Sequence, residues 1–169
     1  MSMDRILADW RQNAQGHYSR NSRFLHSLKG RRENKVDRAA RELHEEAFSQ
    51  IDCTRCANCC RTSHPVFEAH EIERIARRLG EAAGEFTQAN FTACEDEEGW
   101  QPKTQPCPLL GPDNRCTVYE DRPASCAGFP YTDQPGFACR TYMHSANTLG
   151  CPAVFYVVER MRTRGGLLK

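Results

Sequence analysis

No stretch of this chain approaches the roughly 20 consecutive apolar residues that a membrane-spanning helix requires, so no membrane role is expected. The opening residues, MSMDRILADWRQNAQG, contain no apolar core of a secretory signal. Asp4 and Asp9 also interrupt any mitochondrial targeting helix. A surplus of one charge is missing as well. The 23 Lys and Arg against 22 Asp and Glu leave +1, which gives no basis for whole-surface attraction to nucleic acid or anionic lipid. Arg31, Arg32 and Lys35 are too few for a nucleic-acid surface. The phosphate-binding loops G-x-x-x-x-G-K-[ST] and G-x-G-x-x-G do not occur, nor does the nucleophile elbow G-x-S-x-G. These absences leave a soluble cytoplasmic protein as the expectation and assign no reaction.

Against that background, ten cysteines stand out. In an oxidising compartment they would pair as disulfides. In the cytosol such a cluster points instead to metal or redox chemistry. The spacing is decisive. Cys53-x2-Cys56-x2-Cys59-Cys60 places four thiols within eight residues. A C-x2-C step folds the intervening backbone into a knuckle, so that two thiolates converge on one metal. Disulfides between such close neighbours have poor geometry, above all Cys59 with Cys60. Adjacent side chains point apart, so Cys59 and Cys60 are expected to serve different ions or different irons of a cluster. Further ligands must then come from Cys107-x8-Cys116-x9-Cys126 and from Cys151, which opens the last helix. Cys94, before the acidic run Glu95–Glu98, reads as a spare thiol. Cys139 and His64 remain open as ligands.

Zinc favours closed tetrahedral thiolate sites, often built from two C-x2-C pairs. Only one such opening is present here. C-x2-C-x2-C matches the first three ligands of bacterial-type iron–sulfur binding, whose fourth cysteine precedes proline. Cys107-Pro108 and Cys151-Pro152 both meet that condition. The pattern favours an iron–sulfur cluster, with zinc as the alternative.

Periodicity places these residues in a mainly α fold: a small, irregular, metal-stabilised domain with several helices and at most a short β-hairpin. Ile6, Leu7, Trp10 and Ala14 form one stripe, and Phe24, Leu25 and Leu28 a second. Val36, Ala40, Leu43, Ala47 and Ile51 predict a helix over about 34–50. Its charged face reads as solvated, with a protein-binding surface on these N-terminal helices as the other reading. Ile72, Ile75, Ala76 and Leu79 predict a helix ended by Gly80. Phe86 and Phe91 suggest a helical turn, and residues 92–115 look irregular. Residues 100–104 and 117–119 are candidates for the hairpin, and Asp121 for the cap of a short turn carrying Cys126. Pro152 begins a final helix of about twelve residues. The expected organisation is an N-terminal helical segment, 1–50, packed on a cysteine-cluster domain, 51–162, with a frayed tail over 163–169.

DCTRCANCC, PCPLLGPDNRCTVYEDRPASCAGFPYTD and CPAVFYVVE together resemble the CxxCxxCC, or YkgJ-type, cysteine-cluster family over about residues 50–160. The resemblance implies zinc or iron chelation rather than a particular reaction. It carries Cys53, Cys56, Cys59, Cys60, Cys107, Cys116, Cys126 and Cys151 over as metal ligands. Part of a flagellin lysine methylase is similar, but this chain is far shorter and has no Gly-rich loop for a methyl donor, so methyl transfer is not carried over. Arg122, inside Tyr119-Glu120-Asp121-Arg122-Pro123, either satisfies nearby acceptors or offsets the negative charge of a thiolate site. Three roles follow: a metal protein for electron transfer, redox sensing or metal handling; a structural zinc-binding adaptor; or an iron-dependent enzyme or its accessory protein.

Overall fold

The computed structural model describes residues 2–164. The expected frayed tail falls almost wholly outside them. The described chain is mainly helical, and its single sheet has two strands. It divides into a helical unit, residues 2–53 with 130–164, and a cysteine-rich unit, residues 54–129.

The helical unit contains α1 (Met3–His26), α2 (Glu33–Phe48), α8 (Thr141–Gly150) and α9 (Pro152–Thr163). The first N-terminal stripe and Phe24 and Leu25 of the second lie on one continuous helix, and Leu28, fully buried, follows in the turn beyond it. Asn21, fully buried, fills the gap between Ala14 and Leu25, and a polar residue there hides the continuity from an apolar pattern. α2 buries Val36, Ala39, Ala40, Leu43 and Ala47, spaced three and four apart as a core-facing stripe requires. α9 is apolar nearly all round and buried, with Pro152 in its first turn. α8 was not foreseen. Its inward face is Thr141, His144, Ser145 and Thr148, which has helical spacing but polar side chains. The indole N–H of Trp10 donates to the Thr148 carbonyl at 3.0 Å, joining α1 to α8. The Asp37 carboxylate accepts from the backbone N–H groups of Gly136 and Phe137 at 2.8 and 2.9 Å. It thereby anchors a 3-10 turn, Phe137–Arg140, on α2.

The boundary between the units falls inside a single helical turn, α3 (Cys53–Cys56). The cysteine-rich unit continues with α4 (Asn58–Thr62), α5 (Ala69–Leu79), α6 (Ala83–Asn90), β1 (Phe91–Ala93), β2 (Trp100–Pro102) and α7 (Ala124–Ala127). Its core is Phe67, Ile72, Ile75, Ala76, Phe86, Phe91, Leu109 and Val118. α5 is held at both ends. Glu68 and Glu71 form a reciprocal capping box, and Gly80 at φ 74° closes the C-terminus. Leu79, expected on the buried face, is 38% exposed.

The hairpin differs from expectation. Phe91 opens strand β1 instead of extending a helix, and β1 pairs antiparallel with β2 through Phe91↔Pro102, Thr92↔Gln101 and Ala93↔Trp100. Trp100 also bridges Phe67, so its two backbone groups are satisfied on that side. Gly99, at φ 139°, precedes it; a Cβ there would stand 2.6 Å from Val66 Cγ1. Residues 117–119 pair elsewhere. Thr117 N–H donates to the Leu109 carbonyl at 2.9 Å, and Val118 is fully buried. Tyr119–Asp121 then forms a 3-10 turn, and Pro123, not Asp121, precedes α7.

Candidate metal centre

Three separate segments of the cysteine-rich unit bring thiols into one neighbourhood. Cys59 and Cys60 lie on α4, which follows Ala57 in a left-handed conformation at φ 47°. That turn separates α3 from α4 and re-aims the chain between Cys56 and Cys59. Cys107 is tied to α4 because its N–H donates to the Cys60 carbonyl at 2.8 Å. Cys107 and Cys116 flank a tight loop, zipped by Leu110 N–H to Cys107 O, Gly111 N–H to Arg115 O and Thr117 N–H to Leu109 O. Both pack against the unit's apolar core. Cys126 sits on α7, whose first N–H, on Ala124, is held at 2.7 Å by Glu71 Oε1. The next residue, Ser125, donates its hydroxyl to the Val66 carbonyl at 2.7 Å.

The thiols sense one another. Burial pushes Cys107 up to about 11 and Cys126 up to about 12, and the charges of neighbouring cysteines add to both shifts. Cys116 is raised by burial and by Cys60. Cys60 is the exception. A hydrogen bond from Cys59 lowers it to about 7, against burial, with help from Arg61 and Arg122. Three thiols are therefore held neutral by burial beside one that readily ionises. Such a set is costly to charge without a cation and takes a soft cation well, because coordination deprotonates a thiol outright.

The Cys59 and Cys60 sulfurs are 4.0 Å apart. The expectation that adjacent thiols diverge does not hold here. Two thiolates on one tetrahedral zinc ion stand about 3.8 Å apart, given a zinc–sulfur bond near 2.3 Å. This pair can therefore share an ion. Among the described residues, no three His, Cys, Asp or Glu side chains are already gathered into a coordination sphere. The thiols adjoin one another but must draw closer to hold an ion together, as in sites whose metal binding is coupled to folding.

The other predicted positions are distributed as follows. Cys56 is half-buried in the cysteine-rich unit. Cys53, exposed, and Cys151, buried before the first turn of α9, belong to the helical unit. Cys94 follows β1, where burial and Glu97 raise its thiol. Cys139 is exposed on the 3-10 turn of the helical unit, and His64 is exposed after α4. Sequence reasoning did not single out Glu71, Arg74 or Ser125, which fasten the Tyr119–Cys126 segment to α5 and its approach. The E-x-x-E spacing at the start of α5 was the available signal for Glu71.

Residues 52–152 match the family model named CxxCxxCC, described as "Putative zinc- or iron-chelating domain". No curated protein and no solved structure gives a significant match.

Proposed function

The chain belongs to the CxxCxxCC family, and from that membership we propose that its cysteine-rich unit chelates zinc or iron through Cys60, Cys107, Cys116 and Cys126. The observation that carries the reading is geometric: Cys107 is hydrogen-bonded to the Cys60 carbonyl and flanks one tight loop with Cys116, and Cys126, from a third segment, is near enough to feel all three. Four thiolates are the donor set that soft cations prefer. Cys59 stands beside Cys60 as a fifth donor. Cys53, Cys56 and Cys151 complete the set of eight that the sequence motif supplies.

A bound ion would hold this irregular unit together, and an iron centre would add one-electron chemistry. The protein's own residues do the rest. Packing against the apolar core partly desolvates Cys107 and Cys116, and Arg61 and Arg122 temper the negative charge near Cys60.

A second reading keeps the same thiols and fills them with an iron–sulfur cluster that serves electron transfer, redox sensing or metal handling. The run C-x2-C-x2-C with proline after Cys107 and Cys151 supports it. Metal analysis and absorption spectra of protein purified without oxygen test both readings. Stoichiometric iron with acid-labile sulfide and a broad charge-transfer band supports the cluster. Tight stoichiometric zinc without sulfide after anaerobic iron and sulfide treatment leaves the closed zinc site. Protein that takes up neither metal overturns both.

A further inference from the structure

Glu71 is a carboxylate only 4% exposed, on the core-facing side of α5. A buried carboxylate needs partners, and this one has them on both oxygens. Oε2 accepts from the Glu68 N–H at 2.9 Å, closing the capping box of its own helix. Oε1 reaches 53 residues along the chain and accepts from the Ala124 N–H at 2.7 Å. Ala124 opens the single turn that carries Cys126. A charge-assisted bond to a backbone N–H is short and directional, so it fixes where that turn begins.

The bond is one of several from the same quarter. Arg74 donates to the Asp121 carbonyl at 3.1 Å, and its Nε stands 3.6 Å from Asp121 Oδ1. Arg78 pairs with Asp121 Oδ2 at 3.1 Å. The Ser125 hydroxyl donates to the Val66 carbonyl just before α5. The arginine pairs are largely exposed and are worth little singly. The Glu71 bond ties a buried carboxylate directly to the first N–H of α7. α7 has only four residues and little regular structure around it, so nothing in its own backbone holds Cys126 at a fixed distance from Cys107 and Cys60.

We propose that Glu71 is a positioning residue for the metal centre, holding the Cys126 turn beside Cys107 and Cys60 through the Ala124 N–H so that less of the chain has to be ordered when an ion draws the thiols together. The inference rests on the proposed thiolate site. Outer-shell partners of this kind typically matter by roughly 10- to 100-fold in metal affinity.

The test uses full-length protein loaded with cobalt(II) and zinc. Three variants are compared with the parent: Glu71→Ala, Ala124→Pro and Glu68→Ala. Glu71→Ala removes the acceptor. Ala124→Pro removes only the donor, at a first-turn position that tolerates proline. Glu68→Ala breaks the other half of the capping box and leaves the Ala124 bond. Zinc affinity is read by chelator competition, the cobalt–thiolate spectrum reports coordination, and melting of the metal-free protein reports helix stability. The expected result is a loss of about tenfold or more in affinity with an altered cobalt spectrum for Glu71→Ala and Ala124→Pro. Glu68→Ala should lower the melting temperature while keeping the parent's affinity and spectrum. If Glu71→Ala does not fold, Ala124→Pro against Glu68→Ala decides. Parent-like affinity in the bond-breaking variants, or equal losses in all three, overturns the proposal. A parent protein that binds neither ion overturns the site itself.

Discussion

The guanidinium of Arg122 lies over the ring of Tyr119, 3.8 Å from its centroid. The ring restricts a long, flexible side chain and keeps its charge where Cys60 and Cys116 both feel it. Arg122→Ala should weaken metal binding by about fivefold, on the order of 1 kcal/mol for a partly exposed charge. Arg122→Lys should retain most of the effect, and added salt should narrow the gap between parent and alanine variant. Chelator competition at two ionic strengths checks this. Equal affinities for parent and Arg122→Ala would show that the arginine serves only its own turn.

The cysteines should be unequal. Single changes to Ser at Cys60, Cys107, Cys116 or Cys126 should lower metal content most, because each removes a donor from the contiguous set. Changes at Cys53, Cys56, Cys59 and Cys151 should lower it too if the motif acts as a whole. Cys94→Ser should leave it unchanged. Metal-to-protein ratios of the purified variants decide, and a Cys94→Ser protein as depleted as Cys107→Ser would refute the ligand assignment.

Removing the metal should act on one unit. The segments carrying Cys107, Cys116 and Cys126 have little regular secondary structure, and a chelator should expose residues 103–129 to hydrogen exchange within minutes. α1, α2, α8 and α9 pack on one another around a buried interior that contains no proposed site thiol other than Cys151, and should keep their protection. Uniform protection before and after chelation would show that the metal does not order the unit.

His144 gives the helical unit a pH dependence of its own. It is fully buried, lies 4.1 Å from the Phe137 ring in a stacked pair, and is pushed down to about 4 by burial and by Arg140. Above the ordinary value of 6.5 both folded and unfolded chains hold it neutral, so it adds nothing to the pH response. Between 6.5 and about 4 the unfolded chain takes the proton and the folded one does not, so stability falls as pH falls. The loss should reach on the order of 3 kcal/mol and level off below about 4. His144→Phe should flatten this part of the profile in denaturant titrations at a series of pH values. An unaltered slope would mean that another group carries it.

What could be read from the sequence was whatever announced itself by apolar spacing or by cysteine spacing. α9 has an apolar stripe with proline in its first turn, α5 has one closed by glycine, and C-x2-C-x2-C marks its chemistry without any structure. Elements with polar interiors stayed hidden. α8 turns Thr141, His144, Ser145 and Thr148 inward, and Asn21 bridges two stripes of α1 that look separate. The β-hairpin was misplaced because pairing depends on what the chain meets in space. Trp100 finds Ala93 and Phe67, while Thr117 finds Leu109. Glu71 was invisible for a related reason: a glutamate in an amphipathic helix looks solvated until the Ala124 N–H is seen against it.

The chain order of the two units sets a sequence of events during synthesis. The cysteine-rich unit is one unbroken segment, whereas the helical unit needs α1 and α2 from before it and α8 and α9 from after it. Every thiol from Cys56 to Cys126 is therefore synthesised before the first residue of α8 is made. The cation can be gathered by contacts made within that one segment, whereas α1 and α2 must wait for helices from the far end of the chain to cover them.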